Sequence, residues 1–308
     1  MTLQQLEYIL AVDRTRHFAR AAAQCHVTQP TLSMMIQKLE DELSIKIFDR
    51  TVHPVEPTEI GRKVLEKAKR VLFQANQLKE SIENEKQGLS GVLNLAVIPT
   101  VAPYVLPSFF PAFTQRYPDV VLNVSEMMTG HVLERLQRGE LDMALMATPL
   151  NEDALLEIPL YYEKFCAYIA PNEPFYQWES LSPSTMPEQD MWVLEEGHCL
   201  RNQVFNFCVH KALRKHHYEA GTIDTLVRIV DANGGYTILP ELHKPFLNET
   251  QLLNVRPIVE PEAVREISLV IHQDFVRERM LNAVADTIKG IIPPHMLDAR
   301  LKKFAIKL

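Results

Sequence analysis

The sequence predicts a multidomain α+β protein: a small helical head with a two-stranded wing, one long linker helix, and a larger α/β body of two subdomains. Three observations carry this. The first 57 residues hold short amphipathic helices punctuated by capping residues and prolines. From about Pro57 to Gln87 apolar residues recur at coiled-coil spacing with no turn signal. Beyond Gly91 short apolar runs alternate with helical periodicity, the pattern of a parallel α/β layer. At 308 residues the chain also exceeds what one ordinary core accommodates. The expected boundaries are 1–57 for the head, 58–91 for linker and hinge, and 92–308 for the body. Within the body, subdomain I takes about 92–162 and 268–300, and subdomain II about 163–267.

Thr2 and Gln5 form a capping box ahead of a helix whose stripe is Leu3, Leu6, Ile9 and Leu10. A second helix covers about His17–Cys25, with Phe18, Ala21, Ala22 and Cys25 inward. After a short turn, Thr28 is the N-cap candidate of a third helix over Gln29–Leu43. Pro30 sits in its first turn, where proline is tolerated. Leu32, Ile36, Leu39 and Leu43 fall on one face. Two short helices joined this way form a helix-turn-helix, whose second helix enters the major groove of double-stranded DNA. Gln29, Thr31, Ser33 and Met34 would be its exposed N-terminal residues. Glutamine can read adenine, and hydroxyls can take phosphate. Residues 45–61 alternate like a β-wing with Arg50 and His53 at its tip, and Arg50 could neutralise a phosphate.

Net charge is −7, yet residues 1–90 hold 13 Lys/Arg against 12 Asp/Glu, and the remainder 19 against 27. An acidic body carrying a near-neutral, arginine-dotted head fits a local DNA-binding surface better than a generally basic protein. With 46% hydrophobic and 23% charged residues the composition is globular. No apolar run approaches the roughly 20 residues of a membrane span, and the N-terminus is not a signal peptide. A cytoplasmic protein without membrane partners is expected.

Val64, Ala68, Val71, Ala75, Leu78 and Ile82 are spaced four-three-four-three-four, a heptad seam suited to a homodimer. The competing reading is a helix packed on its own chain. Gly88 and Gly91 bracket a hinge. In the body, strands are expected at 92–98, 120–124, 141–147, 165–170, 192–194, 236–239 and 267–272. Helices are expected after Thr100, at 130–138 and at about Val276–Lys289. Thr100 and Thr129 stand at strand-to-helix turns, as pocket residues or as plain N-caps.

Among Cys25, Cys166, Cys199 and Cys208, the first two read as core. Cys199 is flanked by His198 and Arg201 at a helix start after Gly197, features that lower a thiol's pKa from about 8.5. A thiolate attacks peroxide to give a sulfenic acid, which a second thiol converts to a disulfide, and Cys208 is the obvious second thiol. If the intervening segment is helical, the two Cα atoms stand up to ~13 Å apart. A disulfide requires about 7 Å, so closing it would remodel the segment. A metal on Cys199, Cys208 and His210 is disfavoured, because the spacing is unlike that of zinc sites. No glycine-rich nucleotide loop is present, so neither cofactor nor metal is expected.

The alanine-rich helix at Ala19–Gln24, Val27-Thr28-Gln29-Pro30-Thr31-Leu32-Ser33, Ile36, Lys38-Leu39-Glu40, Leu43, Phe48-Asp49-Arg50, Thr58 and Gly61 together resemble the winged helix-turn-helix head of LysR-type regulators. The resemblance implies that Gln29, Thr31, Ser33 and Arg50 face DNA. It also implies a two-subdomain α/β effector domain similar to periplasmic binding proteins. The segment Glu196–Cys208 is similar to that of peroxide-sensing members of the family, although Asn202 stands where that motif carries aspartate. The similarity implies that Cys199 is peroxidatic and Cys208 resolving, and that Thr100, Thr129 and His198, with Arg201 beside them, form the peroxide pocket. It further implies a homodimer or homotetramer, hydrogen peroxide as effector, a thiol reductant, RNA polymerase as partner and activation of antioxidant genes. Two other functions compete: a regulator answering a small metabolite in the effector cleft, and a thiol peroxidase. The head speaks against the enzyme.

Overall fold

The computed structural model describes residues 1–86, 89–150, 152–187, 191–207 and 218–306, in two units, Met1–Gln87 and Gly88–Leu308. Three helices make the head: α1 (Leu3–Thr15), α2 (Phe18–Gln24) and α3 (Gln29–Leu43). The Thr2–Gln5 capping box closes both ways, and the Thr28 hydroxyl accepts from the Thr31 N–H. Leu6, Ile9 and Val12 meet Ala21, Ala22, Leu32, Ile36 and Leu39 in one core. The wing is the antiparallel pair β1 (Phe48–Asp49) and β2 (Glu56–Pro57).

The long helix α4 spans Glu59–Lys86. It starts tight against the head. A Cβ on Gly61 would stand 2.0 Å from the Ile47 carbonyl oxygen, so only glycine fits. The expected seam divides here. Ala68, with Leu65, is buried in the head's own core, while Val71 is 42% exposed. A four-three spacing marks an apolar face but not the chain that covers it. The side chains of Leu78 and Ile82 lie outside the described residues.

In the second unit β3 (Gly91–Val97) lies parallel to β4 (Val120–Glu126) and β5 (Met143–Thr148), joined by α5 (Ala102–Arg116) and α6 (Thr129–Gln137). The chain then runs through β6 (Leu155–Ile169), β7 (Val193–Leu194), α7 (Cys199–Phe207), β8 (Glu219–Ala220) and α8 (Ile223–Asn233). It continues with β9 (Tyr236–Pro240), a 3-10 turn (Glu241–Phe246), α9 (Glu249–Leu252) and β10 (Val255–Pro257), and returns by β11 (Val264–His272) to α10 (Glu278–Ile291). The sheet order is β10-β6-β11-β5-β3-β4, with β9 also on β6. Both β6 and β11 exceed their expected lengths. The first half of β6 contains Pro159, placed where the β6–β11 register shifts, and a bulge is where a strand tolerates proline.

Those two strands serve two cores. One gathers β3, β4, β5, α5, α6 and α10 with Leu155, Leu160, Tyr161 and Ile267–Ile271. The other gathers Phe165–Ala170, Trp192–Leu194, α8, β9 and Ala263. The chain thus crosses between cores twice, near Glu163 on β6 and Arg265 on β11, which are direct cross-strand partners. Among the described residues no helix is long and apolar enough to cross a membrane.

Candidate functional site

Gly197 holds φ +100°, a turn that aims the chain into α7 with Cys199 at its first position. The helix divides its side chains. Leu200 and Val204 belong to the core of the second subdomain, whereas Cys199 is packed into the core of the first. Cys199 is 5% exposed. Near enough to act on it stand the hydroxyl of Thr129, at the start of α6, and that of Thr100, in the turn after β3, together with the Leu200 N–H. All three lower the thiol's pKa, as does a cation.

That cation is Arg265. It is fully buried and cross-strand from Glu163, with Nε and Nη2 each 2.7 Å from the carboxylate. Its Nη1 donates to the Thr100 hydroxyl at 3.1 Å and Nη2 to the Thr100 carbonyl at 2.9 Å. Accepting that bond leaves the Thr100 hydroxyl proton free to point at sulfur. Glu163 in turn accepts from the Leu242 N–H at 2.8 Å. Burial is nevertheless the largest influence on Cys199 and pushes the thiol up from its ordinary value. Sequence reasoning expected a depressed pKa. It counted the helix N-terminus and neighbouring cations but had no measure of desolvation, which penalises the thiolate.

His198 is 3% exposed, and neither ring nitrogen closes a well-formed hydrogen bond among the described residues. Burial lowers its pKa, opposed by Glu195, whose carboxylate lies 3.9 Å away. His198 and Thr100 line a cavity of about 70 Å³ with Tyr104, Glu126, Thr222 and Asp224. Arg201 is engaged elsewhere. It pairs with Glu219 at 2.6 Å, donates to the Leu194 carbonyl at 3.1 Å and lies over the Phe205 ring. The structure therefore gathers Cys199, Thr100 and Thr129 and puts His198 beside them, and it fixes Arg201 as a clamp between α7 and β8. Cys208 and His210 lie outside the described residues.

Sequence reasoning missed Arg265, Glu163 and Gln203. Glu163 and Arg265 stand in strands that also carry Glu157, Lys164 and Glu266, so the sequence pattern does not single them out. Gln203 is one helical turn after Cys199, fully buried, with neither amide atom paired among the described residues. Cys166 is a core thiol, donating to the Leu239 carbonyl and pushed up to about 12 by burial. Cys25 is half-buried in the head. No group of three metal-ligating side chains occurs among the described residues.

In the head, Gln29, Thr31 and Met34 of α3 are exposed and Ser33 is half-buried. Arg50 folds back onto α3. It lies 3.1 Å from the buried Glu40 carboxylate, donates to the Ser33 hydroxyl at 3.3 Å and covers the Phe18 ring. Glu40 also accepts the Ile47 N–H at 2.8 Å, so one carboxylate ties the wing to α3. Arg50 remains 38% exposed.

Two family models match the chain. One described as "Bacterial regulatory helix-turn-helix protein, lysR family" covers residues 3–62, and one described as "LysR substrate binding domain" covers 86–291. A Haemophilus influenzae protein named "Hydrogen peroxide-inducible genes activator" is 37% identical over 299 residues, 95% of this chain and 99% of that one. The Escherichia coli "DNA-binding transcriptional dual regulator OxyR" is 33% identical over 296 residues, 96% of this chain and 97% of that one. Among solved structures, a full-length OxyR cysteine variant from Pseudomonas aeruginosa matches with TM-score 0.78 and 31% identity, covering 94% of this chain and 98% of that one. A hydrogen peroxide-bound OxyR cysteine mutant from Corynebacterium glutamicum matches with TM-score 0.61 and 29% identity, covering 94% of each.

Proposed function

Because the chain belongs to the LysR family of bacterial regulators, we propose that it is a DNA-binding transcription activator switched by hydrogen peroxide at Cys199. The observation that carries this reading is a buried thiol at a helix start, met by the hydroxyls of Thr100 and Thr129 and the charge of Arg265. The relatives named as peroxide-inducible activators run nearly the full length of the chain and support it.

In this mechanism the Cys199 thiol loses its proton and attacks one oxygen of hydrogen peroxide. An S–O bond forms, the O–O bond breaks, and the departing hydroxide takes a proton to leave as water. Arg265 and the two threonine hydroxyls stabilise negative charge, first on sulfur and then on the departing oxygen. Cys208 next attacks the sulfenic sulfur, forming the disulfide and releasing a second water. A thiol reductant restores both thiols by exchange. His198 borders the entry cavity, and Arg201 holds α7 to β8 until the segment refolds. The head reads double-stranded DNA through Gln29, Thr31 and Ser33 of α3, with Arg50 at the wing. The protein acts in the cytoplasm as a homodimer or homotetramer and signals to RNA polymerase.

A metabolite-responsive regulator is less well supported. Ligand pockets for such molecules run to about 300 Å³ or more. The cavity beside His198, at about 70 Å³, has room for a few water-sized molecules. A peroxidase would consume peroxide at high turnover with a thiol reductant, whereas a switch cycles only as often as it is reset.

The test is mass spectrometry of the reduced protein after one equivalent of peroxide. A Cys199–Cys208 disulfide is expected in the wild type, absent in Cys199→Ser and reversed by a thiol. Both thiols remaining reduced would refute the reading. Steady peroxide consumption at high turnover with a thiol reductant would favour the enzyme.

A further inference from the structure

The exposed face of α3 carries an apolar group that neither the head's core nor the proposed reading accounts for. Leu32, Ile36 and Leu39 point inward and are fully buried. Outward, Pro30, Met34 and Lys38 stand at successive four-residue steps, with Ser33, Gln37 and Asp41 beside them, lining an open groove. Met34 is 63% exposed, whereas Met35, the next residue, packs on the core. The thioether therefore contributes little to holding the head together. It sits one turn inside the helix start, among Ser33, Gln37 and Lys38, whose donors suit base edges and phosphates.

An unbranched apolar side chain in that position matches one group of the major groove. The C5-methyl of thymine is the apolar feature of the edge code, distinguishing T·A from the other pairs. We propose that Met34 is a specificity-determining residue that packs on the C5-methyl of one thymine in each operator half-site. This rests on the DNA-binding reading above and names part of the sequence that reading requires. Pro30 bounds the contact on the N-terminal side, and Gln37 and Lys38 on the C-terminal side.

Replacing thymine by deoxyuridine removes that methyl group and leaves every hydrogen-bonding atom in place. Duplexes are selected from a random library by the full-length reduced protein, and each thymine is then replaced in turn. Affinities are read by fluorescence anisotropy at one fixed salt concentration, because phosphate contacts make binding salt-dependent. At one thymine per half-site the wild type should lose about fourfold in affinity, the transfer value of one methyl-sized group. Met34→Ala should bind the thymine duplex more weakly and lose the sensitivity to uracil at that position alone. Met34→Leu should retain it. Both variants alter an exposed side chain, and circular dichroism checks that the head remains folded.

A wild type indifferent to uracil at every thymine would overturn the proposal, and so would a uracil penalty that persists in Met34→Ala. Those outcomes leave DNA binding standing. Failure of the wild type to enrich any duplex would instead remove the reading on which the proposal rests.

Discussion

Arg265→Leu separates what the buried ion pair does for stability from what it does for the thiol. The guanidinium makes two contacts of 2.7 Å to Glu163 and two bonds to Thr100, with no exposure on either charged side chain. Deleting it leaves the Glu163 carboxylate accepting from the Leu242 N–H. Breaking one side of a buried pair costs about 3–5 kcal/mol, read as a lower urea midpoint. The deficit should depend on pH. Burial already pushes Glu163 above its ordinary value, and Arg265 opposes that push. Without Arg265 the folded pKa rises further above the unfolded value of about 4.3. The proton then binds the native state more tightly, so the deficit is smallest near pH 4 and grows as pH rises toward the folded pKa. Arg265→Leu with Glu163→Leu removes the stranded charge and should recover most of the stability. It should not recover reactivity, because Arg265 pulls the Cys199 pKa down in the wild type. A thiol pKa higher by one leaves about tenfold less thiolate at neutral pH. Higher intrinsic nucleophilicity offsets about a factor of three of that loss. The assay is sulfenate trapping against pH in a Cys208→Ser background, where the pH of half-maximal rate should rise in both variants. A double variant that reacts with the wild-type pH profile would refute the assigned role of the Arg265 charge.

Gly61→Ala should disable the head, since its Cβ would stand 2.0 Å from the Ile47 carbonyl oxygen and the backbone would have to move. A cost at or above the upper end of about 1–3 kcal/mol is expected. It would be read as lost DNA binding with Cys199 oxidation intact, and normal DNA binding would contradict it. Burial lowers the pKa of His198 and of His243, so each group favours the fold above about pH 6.5 and costs stability as pH falls toward its folded value. His198→Asn should flatten the fall in melting temperature between about pH 6.5 and 5, and an unchanged slope would count against the assignment. Cys208→Ser given one equivalent of peroxide should lose amide protection in α7 although no disulfide can form. Unchanged protection would mean that the disulfide alone drives the rearrangement.

The head was legible because its signals are local. Thr2, Gln5, Thr28 and Pro30 act within a turn of where they stand, and the structure has each in its expected place. Cys199, Thr100 and Thr129 were also readable, since each opens a helix or precedes one. The charge acting on the thiol was not. Arg265 and Glu163 meet across strands about a hundred positions apart, and the bulge at Pro159 hid half of one strand. Arg201 looked like the activating cation because it is near in sequence, yet a helix points consecutive side chains in different directions, and its own goes to Glu219. Periodicity identified the apolar face of α4 but could not assign Ala68 to the head's own core.

The division of α7 between two cores gives a physical reason for the switch to be placed there. Leu200 and Val204 anchor the helix to one subdomain while the Cys199 side chain fills a slot in the other. A sulfenic acid adds an oxygen atom and a new polar group to a site that is 5% exposed. Overfilling a packed site costs about 1–3 kcal/mol, and a buried hydroxyl requires partners of its own. Thr100 accepts from Arg265 and so has one hydroxyl proton to offer the new oxygen. Oxidation is therefore expected to weaken the packing of Cys199 before any disulfide forms. A shift of about 1.4 kcal/mol changes tenfold the population in which the Cys199 side chain has left its slot, and a disulfide requires Cα atoms within about 7 Å. The slot that suppresses the thiolate in the resting protein is therefore the same slot that the oxidised sulfur no longer fits.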